Sequence, residues 1–117
     1  MTNELWRKSA LDLAEGIRSK KFSSREVVDA HLSRIDEVNP KVNAIIRVMA
    51  DEARTAADAA DKTLAQGGPM GPLHGVPYTV KINIDVAGQA TTQGIPALAE
   101  AIPAIDAPTI ERMKASG

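Results

Sequence analysis

A chain of 117 residues fits one domain at most, and 44% hydrophobic with 25% charged residues is not the composition of a disordered segment. A formal net charge of -1 excludes a general nucleic-acid binder, which needs a basic surplus against phosphate. The absence of cysteine excludes disulfides and thiolate chemistry, and one Trp, one Tyr and one Phe leave any core to Ala, Val, Ile and Leu.

The opening residues, MTNELWRKSALDLAEG, lack the apolar region of a secretory signal. No run reaches the ~18 apolar residues of a membrane span. The expectation is a soluble cytoplasmic protein with no membrane and no nucleic-acid partner. Ser9 followed by Asp12 reads as a weak helix start, with Ala10, Leu13, Ala14 and Ile17 at helical spacing. SKKF ends that helix. Ser23 with Glu26 three residues on is a fuller capping box. The helix behind it carries Val27, Val28, Leu32, Ile35 and Val38 on one side. It is predicted to stop near Asn39, because Pro40 disfavours helix in the residue before it.

Residues 43–49, NAIIRVM, read as a short strand. From Asp51 to about Gln66, Ala53, Ala56, Ala57, Ala60 and Leu64 form a narrow helical stripe that allows close approach to another surface. Gly67 and Gly68 stop it, and Pro69 and Pro72 prevent its resumption. In 76–86 the even positions are Val76, Tyr78, Val80, Ile82, Ile84 and Val86, and the odd ones include Thr79, Lys81, Asn83 and Asp85. That period of two predicts a strand with one buried face. Residues 87–105 read as a long loop, and 106–117 as the start of a helix with Pro108 in its first turn. Residues 1–66 are thus mainly helical. Two strands do not make an independent sheet, so 1–117 reads as a single partial domain.

Lys81 is the residue that invites a role. A lysine on the polar side of a half-buried strand is usually just solvated. Asp85 lies roughly 13 Å away along an extended strand, too far for an ion pair. His31 and His74 are far apart without a carboxylate cluster, so no metal site is expected, and His74 reads as a turn residue.

GPLHGVPYTVK, followed by DVAG and TTQG, resembles the first motif of the amidase signature family, serine hydrolases that cleave carboxylic amides. SSREVVDAHLSRIDEVNPKVNAI is similar to that family's N-terminal helical part, and DAPTIERMKASG to the helix after the loop. The resemblance implies an α/β fold: N-terminal helices and the first strands of a mixed sheet covered by helices, incomplete as given. It implies that Lys81 is the catalytic lysine of a Ser–Ser–Lys triad, with no metal or organic cofactor and a small-molecule amide as substrate. To take a proton through a bridging serine, a lysine must be neutral. Moving its reference pKa of ~10.4 to about 7 requires roughly 4 to 5 kcal/mol of differential stabilisation, which burial of the ammonium supplies.

The pattern departs at Ile82, where the family usually has Asp, and at Ile95, where it usually has Ser. The Gly/Ser-rich segment that holds both serines has no counterpart after Gly94; Ser116 is the only later serine. A base without a nucleophile performs no acyl transfer. The expectation is therefore the N-terminal portion of an amidase, inactive alone, paired with the remainder of the enzyme or self-associated. The alternative is a non-enzymatic interaction protein derived from a truncated amidase. The predicted strand would leave a row of apolar side chains uncovered unless such a partner exists.

Overall fold

The first full helix, α1 (Ala10–Arg18), starts at Ser9, whose hydroxyl accepts the Asp12 amide at 3.1 Å. This is a computed structural model, and it describes residues 2–117. A short 3₁₀ segment, Thr2–Arg7, precedes α1. The second helix, α2 (Ser24–Val42), carries the full capping box. Ser23 Oγ accepts from Glu26 N at 3.0 Å, and Ser23 N donates to the Glu26 carboxylate at 2.8 Å. α3 is Ala50–Ala65 and α4 is Pro108–Ala115. The chain divides into two units. One runs as far as Pro77 and takes in Gly117; the other is Tyr78–Ser116.

The first unit is a helical assembly around two apolar clusters. Leu5, Leu13, Ile17, Val27 and Ala30 make one, with Phe22, Leu64 and Val76 packed against it. Val28, Leu32 and Ala57 make the other, flanked by Ile35, Ala50 and Ala53. The stripe on α3 thus meets α2 through Ala57, while Ala56 faces solvent. Small side chains allow this approach and leave room for polar contacts beside it. Asp61 on α3 accepts from the first two amides of α2, Ser24 N at 2.7 Å and Arg25 N at 3.0 Å. These are donors that a helix start leaves unpaired, and a carboxylate there also suits the helix dipole. Trp6 packs under the Arg34 guanidinium, 4.3 Å from the ring centre, with Arg7 at 5.5 Å.

Beside the apolar seam, Asp29 bridges Arg54 (2.9 Å) and Arg25 (3.0 Å), and Arg25 also reaches Asp58 at 2.8 Å. Arg54, and then Arg25, hold the Asp29 carboxyl below its ordinary range. A folded value below the unfolded ~3.9 gives stability that is present above the unfolded value and lost as pH falls through the folded one. The Asp29 side chain is 44% exposed, so solvent screens much of this. Between pH 5 and 3 at low salt, Asp29→Asn should lose roughly 1 to 4 °C less in Tm than the parent. Equal acid slopes in the two proteins would remove the assignment.

Two features differ from the sequence reading. α2 does not stop at Asn39. It continues through Pro40 to Val42 and closes at Asn43, in the left-handed region at φ 47°. Asn39 makes this tolerable: its amide nitrogen donates to Ile45 O at 2.8 Å and its oxygen accepts Ile45 N at 2.9 Å. That clip holds the chain leaving the helix, and proline in a last turn removes only one amide bond. The second difference is the sheet. Among the described residues no β-strand forms over 43–49 or over 76–86, and an isolated bridge joins Val86 and Gln89. An extended segment becomes a strand only where a neighbour takes its amides and carbonyls, and residues 82–84 instead turn.

The second unit has little regular structure before α4, apart from a 3₁₀ turn at Pro96–Leu98. Cross-chain bonds hold it: Gly88 N to Pro103 O at 3.0 Å, Thr91 N to Ala101 O at 2.9 Å, and Ala107 N to Asp85 O at 2.9 Å. Asp106 closes the ring, accepting Ala87 N at 2.8 Å and the Lys114 ammonium at 2.7 Å. Lys114, and next the Ala87 amide, hold the Asp106 carboxyl below its ordinary range.

Candidate functional site

The approach to Lys81 begins at a turn, residues 72–75, where His74 N donates to Gly71 O at 3.2 Å and Val76 N to Leu73 O at 3.1 Å. His74 is buried. Its Nε2 lies 2.8 Å from Ala60 O, which makes it the donor of a bond into α3. A ring nitrogen held by a backbone carbonyl serves packing, so His74 acts as a structural anchor. His31 is likewise tied to its own helix, Nδ1 to Val27 O at 2.8 Å. Among the described residues no three His, Asp or Glu side chains gather as a metal-binding group, and no helix is long and apolar enough to cross a membrane.

In the second unit Lys81 opens a tight turn, its carbonyl accepting Ile84 N at 3.0 Å. Its side chain is exposed, and the ammonium makes no hydrogen bond or ion pair with a described residue. The alternation of the sequence survives as exposure. Val80, Ile82, Ile84 and Val86 are half-buried, while Lys81, Asn83 and Asp85 are exposed. Gly88 makes the following turn at φ +79°, a conformation that favours glycine.

The threonine motif sits against this turn. Thr91 is buried, and its hydroxyl donates to Asp85 Oδ1 at 2.7 Å. Thr92 Oγ1 accepts Gly94 N at 3.3 Å. Gln93 N reaches Ile82 O at 3.4 Å, so the residue after the lysine is also tied to the loop. Ile82 is half-buried there, whereas Ile95 is 49% exposed. Ser116 gives its hydroxyl to Met113 O at 2.7 Å, which closes α4 and occupies the only serine after Lys81. The sequence reading did not find the Asp85–Thr91 and Asp106–Lys114 pairs. Their residues are six and eight apart across an irregular loop, where no periodicity signals a contact.

A model of the family described as Amidase matches residues 26–117. An indoleacetamide hydrolase from Bradyrhizobium diazoefficiens is 45% identical over 113 residues, covering 97% of this chain and 22% of that protein. An acylamidase from Rhodococcus erythropolis is 36% identical over 111 residues, covering 93% of this chain and 23% of its own. The crystal structure of a bacterial aryl acylamidase of the amidase signature family matches with a TM-score of 0.86 at 34% identity, over 93% of this chain and 23% of the other. The chain thus spans less than a quarter of the length of these relatives.

Proposed function

The chain belongs to the amidase family, and we propose that it forms the lysine-bearing part of a hydrolase that cleaves carboxylic amides through an acyl-serine intermediate, with Lys81 as the base. The observation that carries this reading is the run from Gly71 to Gly94. It lies wholly within the residues that match the family, and its lysine leaves a turn held by the threonine motif. The relatives act, by their names, as an indoleacetamide hydrolase and an acylamidase, which supports an amide as the bond acted on.

Two serines are needed beside such a lysine, one to bridge the proton and one to attack the carbonyl. Residues after Lys81 offer only Ser116, already bonded within α4. We therefore expect no amide turnover from the 117-residue chain by itself. The serines would come from protein that plays the part of the relatives' remaining length. The test is a graft: these residues replace the matching segment of the Bradyrhizobium hydrolase, and release of ammonia from indoleacetamide is followed. Turnover by the folded graft supports the reading. A graft that unfolds as cooperatively as its parent, yet hydrolyses neither indoleacetamide nor simple aryl amides, overturns it.

A further inference from the structure

We infer that Thr91 and Asp85 are positioning residues that set the turn from which Lys81 projects. The inference rests on Lys81 being the base proposed above. Three bonds fasten that turn: Ile84 N to Lys81 O at 3.0 Å inside it, Gln93 N to Ile82 O at 3.4 Å, and Ala107 N to Asp85 O at 2.9 Å. None of them, however, fixes the side chain of Asp85 or the approach of the loop at residue 91. The Thr91 hydroxyl does both. It is buried at 8% exposure and spends its proton on Asp85 Oδ1 at 2.7 Å, a short bond to a charged acceptor.

The chemistry favours this pair over its neighbours. The Thr92 hydroxyl reaches only two residues along its own loop, accepting Gly94 N at 3.3 Å. Asp106 is engaged with Ala87 and Lys114, so it holds the far ends of the loop and not the lysine turn. Asp85 alone offers both a backbone oxygen to Ala107 and a carboxylate to Thr91. It therefore links the residue that follows the lysine turn to two separate parts of the loop. A base has to hold its nitrogen within a few tenths of an ångström of the proton it takes. Asp85 would act on that geometry through the backbone, without touching substrate.

The test is nuclear magnetic resonance on the 117-residue chain, following the Lys81 side-chain carbons and the Ile84, Gln93 and Ala107 amides. Thr91→Val keeps the shape and removes the donor. It should move the Lys81 resonances and speed exchange of the Gln93 and Ala107 amides about tenfold or more. Thr91→Ser keeps the donor and should restore both, which a loss of packing alone would not. If Thr91→Val unfolds the unit, Asp85→Ala decides in its place, because it removes the acceptor from the exposed end of the pair. Lys81 resonances unmoved in the folded variant, or moved as far by Thr91→Ser as by Thr91→Val, would overturn the inference. The measurement needs no turnover, so its failure is distinct from failure of the amidase reading.

Discussion

Lys81→Ala in the grafted hydrolase is expected to lower kcat by about 10³-fold or more while KM changes little. General-base catalysis contributes typically 10² to 10⁴, and a serine hydroxyl without a base is a poor nucleophile. At 1.36 kcal/mol per tenfold, a 10³ loss is about 4 kcal/mol of transition-state stabilisation. Substrate binding does not use the proton, so the effect falls on kcat. Lys81→Arg should be as inactive as the alanine variant. A guanidinium keeps its charge at any working pH and cannot accept a proton. The pair of variants therefore separates a base from a positive charge that merely steers substrate. An arginine variant that retains a tenth of the parent turnover would rule out the base role, provided its Tm matches the parent's.

The exposure of Lys81 bears on this expectation. Residues 2–117 leave the Lys81 side chain in solvent. Under the proposal, the cover over the lysine turn comes from protein that plays the part of the relatives' remaining length.

The helical half of the chain was open to reading because helix signals are local. Ser9 with Asp12, and Ser23 with Glu26, each place a hydroxyl three residues from the amide it caps, and both bonds are present. The end of α2 was less legible. Pro40 argues for an early stop, but the Asn39–Ile45 clip is side-chain chemistry across six residues, and it carries the helix to Val42. Over 80–86 the period of two reported which side chains are covered, since half-burial alternates there, but it failed at Tyr78, which is exposed although it belongs to the same even set. It could not report a strand, because pairing is a property of a neighbour and not of the segment. The loop beyond was the least readable. Its order comes from Asp85, Thr91, Asp106 and Lys114 meeting across irregular backbone. Residue types of that kind occur in any solvated loop. The family motif located the region through its glycines and threonines, but nothing in the order of residues said that Thr91 would find Asp85.

Gly75→Ala is expected to cost the first unit about 2 to 5 kcal/mol of stability. Gly75 is buried at φ +78°, where an alanine pays ~1 to 2 kcal/mol for the left-handed backbone alone. A Cβ there would also stand 2.9 Å from both Cβ and Oγ of Ser24 and 3.3 Å from Ile17 Cδ1. Neither neighbour yields easily. Ile17 and Ser24 are 0% and 1% exposed, and the Ser24 hydroxyl donates to Gly75 O at 2.6 Å. Separating the two backbones would stretch that bond and open the cluster of Leu13, Ile17 and Val27, and overpacking of this kind costs typically 1 to 3 kcal/mol. Gly67→Ala supplies the comparison within the same unit. Its φ is +67°, but nothing lies within 4 Å of a new Cβ, so it pays the backbone term alone. At about 4 to 8 °C per kcal/mol for a domain of this size, Gly75→Ala should lower Tm by roughly 8 to 40 °C, and Gly67→Ala by roughly 4 to 16 °C. Thermal unfolding followed by the helical circular dichroism signal measures both. Equal shifts in the two variants would mean that Gly75 is required for its backbone angle only, and that the close approach of the turn to Ser24 does not hold the helices to it.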